Sequence, residues 1–571
     1  MLESEPRRRE PHGTRWRRRP SLKWTVIAAS FALVTVAVAC SSDSPAAEPQ
    51  APTPIPATPT PPTPTSEPLP VSGTGLHNGL PEYDFGVALS NAYWYSRYTL
   101  GSLVMMSGLG VPFSPPMDKV MAMVDAVDQG PADGEHVMMP ANAALLRAVY
   151  ASGDPQFQNP FNGEPMDLSN YRWLEDGVDT TITPAAQAQT IIKQVEWAKY
   201  FNSPAGGGTP TSAFGAMDRF KGMVMYAEAG QMAMFALQNL RNEDGMFVAG
   251  AEFNDGAVTV TDPAVLPADQ YQMLQALSDL RILLSAPDLY NGLYINPDLL
   301  AMVSEAGDDL FTRVATMEPG DVMEMGLAAQ AFVWYAASTD DPQLQREALD
   351  MLGQTGDALI ASAPTGVVDR ARAVRGLWEA SRILGERRYT EAATGHVTAL
   401  LDAYNPEMGY FEGATELHDW ELGDILGALN STIVNGSDQV SSRAAQDVYA
   451  SFFEATVNIG GLLQARIPKQ MEASPFELER ITNDLLFAYP SIPAIMAAGG
   501  PNGTAAVHAS RIAFDMDAGQ WRVTDRRFDT AAAMHTSNEM MWTFGLVSGF
   551  PTIDQVAVSD FPQVVAVSPG S

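Results

Sequence analysis

The strongest constraint on this chain is a tandem repeat. Trp334 and Ala336 recur 44 residues on as Trp378 and Ala380, and at the same offset Glu347-Ala348 recurs as Glu391-Ala392. Each copy reads helix, short polar turn, helix: 328–338 then 343–360, and 370–384 then 389–404. Apolar residues fall at three- and four-residue intervals, the period of a helix with one buried face. A lone helical hairpin cannot cover that face, so such units must stack. In line they form a solenoid; closed in a ring they form an α/α toroid. The same period marks 85–106, 186–201, 216–240, 270–284, 323–337, 372–384 and 445–463, so an all-α chain is predicted. Strand signals are few: 245–253 and 256–261 flank Asn254-Asp255 as a hairpin, and 520–523 reads as a short strand.

A second recurrence favours the ring. Gly245, Gly292, Gly409 and Gly519 each stand two residues before an aromatic (Phe247, Tyr294, Phe411, Trp521), with Asp or Asn close ahead of the glycine. Such a glycine is expected to end a helix in a left-handed cap. Residues 372–385, Tyr389-Thr-Glu-Ala-Ala393 and Met408-Gly-Tyr-Phe411 together resemble the repeat of six-hairpin glycosidase-like proteins, most clearly over 320–425. The resemblance implies an (α/α)6 toroid over 76–571, with small β-hairpin loops and a substrate cleft where loops enter the inner helices. That superfamily includes glycoside hydrolases, unsaturated-glycuronyl hydrolases, sugar epimerases and non-enzymatic relatives, so function follows only by analogy.

The N-terminus gives an address. Arg7 to Arg9, Arg15, Arg17 to Arg19 and Lys23 precede an apolar stretch, Trp24 to Ala39, that ends at Cys40, the only cysteine. A basic region, a short apolar core and small residues make an export signal, and the stretch is shorter than the ~20 residues of a membrane span. Ala37-Val38-Ala39-Cys40 resembles a lipobox, with alanine where leucine is usual. Residues 1–39 are therefore predicted to be a lipoprotein signal peptide, and Cys40 the lipidated first residue of the mature chain. A plain secretory signal and an uncleaved anchor are the alternatives; Arg18-Arg19 also resembles a twin-arginine signal. Residues 40–75 are proline-rich and read as a disordered, polyproline-like spacer. These features place the protein outside the cytoplasmic membrane, held there by its lipid.

With 34 basic and 67 acidic residues, the chain carries a formal charge of −33. Such a surface repels phosphate backbones, which disfavours nucleic acid as a partner. Several chemistries lack their motifs: there is no phosphate loop, no nucleophile elbow and no haem-attachment signature. Twenty-eight methionines suit Cu(I), but they lie in helical apolar patterns and read as core filler.

Candidate chemistry concentrates in two stretches. Residues 410–424 hold Tyr410, Phe411, Glu412, Glu416, His418, Asp419, Trp420, Glu421 and Asp424. Paired carboxyl groups perform glycoside hydrolysis, one as acid and one as base or nucleophile, while aromatics stack on sugar rings. A helix beginning near Thr415 would put His418 and Glu421 one turn apart. The plainer reading is an acid-rich helix start. The second stretch sets His535 and Glu539 at i and i+4, beside Trp542. The expected site is thus Glu412, His418, Asp419 and Glu421, with His535 and Glu539 across the cleft, and Tyr410, Phe411, Trp420, Trp521 and Trp542 as sugar-binding aromatics. No cofactor is predicted; a divalent metal on His418, Asp419 and His535 is one alternative. The other is a non-catalytic lipoprotein binding a glycan, peptide or protein. His77 and His136 read as loop residues, His396 as structural, and His508 as uninformative.

Overall fold

A computed structural model describes residues 83–106, 108–127, 145–155, 177–202, 216–286, 293–436, 439–464 and 507–541. All lie in one compact unit, Glu67–Ser571. The signal peptide, Cys40, the proline-rich segment, His77, His136, Gly292 and Trp542 fall outside the described residues. No described helix is long and apolar enough to cross a membrane.

Thirteen α-helices are described: α1 (Phe85–Leu100), α2 (Met117–Val127), α3 (Pro184–Asn202), α4 (Ala216–Asn239), α5 (Pro267–Ser285), α6 (Pro297–Val314), α7 (Val322–Ser338), α8 (Pro342–Ser362), α9 (Val367–Leu384), α10 (Arg387–Asp402), α11 (Asp419–Asn435), α12 (Gln439–Phe453) and α13 (Thr530–Glu539). Helices α3, α5, α6 and α8 open on proline, whose fixed φ and missing N–H suit the first helical position. Side-chain caps set further starts: the Asn296, Asp321 and Asp529 side chains accept from the amides of Leu299, Glu324 and Ala532 at 3.2, 2.9 and 2.9 Å.

Six helices form an inner ring. Helix α3 packs on α5, α5 on α7, α7 on α9, α9 on α11, α11 on α13, and α13 returns to α3. Each has an outer partner: α4 on α3, α6 on α5, α8 on α7, α10 on α9, α12 on α11 and α1 on α13. This is a closed (α/α)6 toroid, and the 44-residue repeat is two of its hairpins, α7/α8 and α9/α10. The two layers differ as their surroundings require. Outer α8 buries one stripe, Ala348, Leu352, Thr355, Gly356 and Leu359, whereas inner α5 buries nearly every residue from Asp269 to Leu284. Met223, Met225 and Met232 on α4 are core residues.

Glycine lets the ring close. A Cβ at Gly423 of α11 would stand 2.9 Å from the Thr536 backbone Cα on α13, and one at Gly427 would collide with the Glu539 carboxylate. The absent side chains admit α13 against α11.

Short strands decorate the rim: β1 (Gly110–Pro112), β2 (Leu146–Val149), β3 (Ser152–Gly153), β4 (Thr181–Ile182), β5 (Gly250–Asn254), β6 (Ala257–Asp262), β7 (Tyr404–Asn405), β8 (Tyr410–Phe411), β9 (Glu416–His418), β10 (Arg511–Asp515), β11 (Gln520–Asp525) and β12 (Phe528–Asp529). Their antiparallel sheets run β1-β2, β12-β3, β4-β5-β6, β7-β8 and β9-β10-β11. The expected hairpin at Asn254-Asp255 is β5–β6, and 520–523 lies in β11.

Four expectations are corrected. Residues 85–106 and 445–463 are not single α-helices: α1 and α12 pass into π-helical turns, Gly101–Met106 and Glu454–Ile459, and the chain leaves helix at Gly460. The 372–384 helix begins earlier, at Val367. The helix expected from Thr415 begins at Asp419, because 416–418 pairs with Arg511–Ala513 instead. The described Gly-x-aromatic glycines do not cap helices: Gly245 lies in a turn beyond the end of α4, Gly409 turns the chain into β8, and Gly519, at φ 65°, closes the β10–β11 turn.

Candidate functional site: the mouth of the ring

Helices α7, α9 and α11 bring their N-terminal halves, and α13 its last turn, to one narrow cleft. It is lined by Gln330, Arg372, Arg375, Trp420, Asp424 and Glu539, with Met323, Gly326 and Leu327 beside them. Arg372 Nε donates to Asp424 Oδ2 at 2.7 Å, and Asp424 Oδ1 lies 2.9 Å from His535 Nε2. Arg375 Nε donates to Glu539 Oε2 at 3.0 Å, and its Nη1 donates to Glu379 Oε1 at 2.6 Å. Arg382 completes the chain on the other oxygen of Glu379. Burial would raise the Glu379 carboxyl, but the Arg382 and Arg375 charges outweigh it and hold it below the usual range.

Over this lattice the Trp420 indole lies parallel to the His535 ring, centroids 3.9 Å apart and planes within 8°. The Trp420 indole N–H is buried and has no protein acceptor. On the α13 side Lys193 of α3 donates to the Ser96 hydroxyl and the Ser537 carbonyl. Burial pulls its ammonium well below the usual lysine value, against the opposing fields of Glu196 and Glu539.

Of the expected site residues, Trp420, His535 and Glu539 converge here. His535 and Glu539 do not pair with each other as an i, i+4 couple: His535 takes Asp424 and Glu539 takes Arg375. His418 and Glu421 form the cap of α11. The Glu421 carboxylate accepts from His418 N at 2.8 Å, and His418 Nδ1 accepts from Trp420 N at 3.3 Å. This reciprocal pair thus holds the helix start. Asp419 is buried, with Oδ1 3.4 Å from His508 Nδ1. Glu412 is exposed on the rim.

Three of the expected sugar-binding aromatics form a packing seam. Trp521 is buried and donates to the Gly409 carbonyl at 2.8 Å; Phe411 packs on Tyr404 and Phe452; Tyr410 stacks on Phe514 at 4.6 Å. His418 and His535 serve different partners, and among the described residues no group of three or more His, Cys, Asp or Glu is arranged to hold a metal ion. Sequence reasoning missed Arg372 and Arg375 as members of the site. The signal was two arginines at i, i+3 in a helix whose neighbours, Ala371, Ala373, Val374, Gly376 and Leu377, are small or apolar and buried.

No protein-family model matches the chain, and no curated protein matches it in sequence. Solved structures do resemble it. A sugar epimerase from a ruminal bacterium is 11% identical at a TM-score of 0.39, covering 74% of this chain and 97% of the epimerase. A cellulase of C. cellulolyticum in complex with cellobiose is 10% identical at 0.40, covering 80% and 97%. An endoglucanase from the termite Nasutitermes takasagoensis is 12% identical at 0.39, covering 81% and 98%. The closed ring carries the fold assignment on its own: six inner helices, each backed by an outer one, make the chain an (α/α)6 toroid.

Proposed function

We propose that this protein is an exported, lipid-anchored toroid that binds a carbohydrate over its mouth without cleaving it. The observation that supports this reading is Trp420 lining the cleft, held flat by the His535 ring stacked on one face, beside a lattice of guanidinium and carboxylate groups. Sugars present an apolar ring face to an aromatic and hydroxyls to planar charged groups. The cleft has space for about one water, roughly 10 Å³, so the ligand lies across it. Hydrolysis requires one carboxyl free to protonate the leaving oxygen and another free to attack or activate water. Asp424 is shared by Arg372 and His535, and Glu539 is held by Arg375.

Calorimetric titration of the full chain with neutral and acidic oligosaccharides tests the proposal, alongside reducing-sugar release. Binding without turnover, weakened at least about tenfold (~1.4 kcal/mol) in Trp420→Ala, is expected. Cleavage that disappears in Asp424→Asn would establish the hydrolase instead, with the Asp424–His535 pair as its acid–base couple. The anchor has its own check: labelled palmitate should enter the wild-type chain and not Cys40→Ala.

A further inference from the structure

A second concavity lies on the rim of the α3/α4 hairpin, sharing no residue with the mouth. It measures about 340 Å³ and is walled by Arg147 of β2, by Gln231, Phe235, Gln238 and Asn239 of α4, and by Phe253 of the β5–β6 hairpin. This is the lower end of the ~300–1,000 Å³ typical of small-molecule sites. We propose that it binds a small monocarboxylate with an apolar body and an amide or similar hydrogen-bonding group, the chemistry of an N-acylated amino acid or a peptide C-terminus.

Charge is the first argument. In a chain with 67 acidic residues, Arg147 is the only charged residue lining the pocket among the described residues. No carboxylate pairs with it among the described residues, and its Nε is buried without a protein partner. An unpaired guanidinium under partial burial costs free energy that a planar oxyanion would recover through a two-pronged hydrogen bond.

Preorganisation is the second. The guanidinium sits 5.3 Å from the Phe253 ring centroid and 5.9 Å from that of Phe235, which limits its rotamers. Strand β2 is fixed on both flanks of Arg147. Leu146 N donates to Glu228 Oε1 at 3.1 Å, and Gln187 clamps Val149 by accepting from its N at 3.0 Å and donating to its carbonyl at 2.8 Å. Leu146 and Ala148 point into the core, so strand alternation turns Arg147 the other way.

The rest of the lining decides the class. Gln231, Gln238 and Asn239 supply carboxamides for a ligand amide, and the phenyl rings with Met234 and Val258 supply an apolar wall. A bare phosphate would leave that wall unused.

The test is calorimetric titration of the full chain with N-acetyl-leucine, N-acetyl-leucinamide, glucuronate and inorganic phosphate. N-acetyl-leucine should bind at one site, the uncharged amide at least about tenfold more weakly, and the other two more weakly than N-acetyl-leucine. Arg147→Gln should weaken N-acetyl-leucine at least tenfold, Arg147→Lys should restore part of the loss, and raised salt should weaken binding. Trp420→Ala should leave it unchanged, which separates this site from the mouth. Equal affinity for acid and amide, indifference to Arg147→Gln, or preference for phosphate or glucuronate overturns the proposal. Should Arg147→Gln fail to fold, Gln231→Leu and Arg147→Lys decide it: neither altering binding has the same force.

Discussion

Glu228 and Glu379 are both fully buried, yet their surroundings treat the carboxyl in opposite ways. Glu228 accepts only neutral hydrogen bonds, from Leu146 N and Gln194 Nε2, both 3.1 Å away. Burial pushes it up to about 8, with the Leu146 amide pulling weakly the other way. From pH ~4.5 to ~8 the native state therefore keeps a proton that the unfolded chain has released, and stability falls as pH rises through that window. In Glu228→Gln this fall should vanish: urea midpoints of variant and wild type should diverge from pH 5 to 8, in favour of the variant. A gap independent of pH would contradict the assignment. Glu379 has the reverse sign. Its arginines hold the carboxyl down, so its contribution is present above the unfolded value and lost as pH falls through the native one. Glu379→Gln leaves Arg375 and Arg382 buried without the carboxylate they share, at a cost of about 3–5 kcal/mol; denaturant unfolding at pH 7 measures it. None of this was legible in the sequence, because it depends on which acids the ring turns toward arginine and which toward amides.

The elements themselves were legible where periodicity is local. Outer helices announce their stripe, and inner ones their long small and apolar runs. The start of α11 was not, since β9 takes its partner from Arg511–Ala513, almost a hundred residues away. Small residues also sort by position in ways a single helix does not reveal. Gly427 faces Glu539 with no room for a methyl, whereas a Cβ at Gly395, on the exposed side of α10, meets nothing within 4 Å. Gly427→Ala should destabilise by about 1–3 kcal/mol through overpacking. Gly395→Ala should stabilise by about 0.5–1 kcal/mol through helix entropy. Thermal melts of the two variants read both signs at once.

At the scale of the whole molecule, the ring is a cooperative unit whose closure rests on α13. That helix carries His535 to Asp424, Glu539 to Arg375 and the Ser537 carbonyl to Lys193. A chain truncated after Asp529 should lose its single sharp urea transition and give a broad, shallow one; an unchanged transition would show that the remaining hairpins fold as a linear stack. The repeat made stacking evident. Closure was an expectation from the family resemblance, since the turn angle between hairpins that produces it is not set by any one short stretch of sequence.

The position of α13 in the chain has a temporal consequence. It is the last described element to leave the ribosome, and it must seat between α3, among the first, and α11. Until it emerges, Arg375, Asp424 and Lys193 lack partners that the finished protein gives them. Vectorial synthesis can therefore build the hairpins one by one, but the ring comes into being only when α13 meets α3.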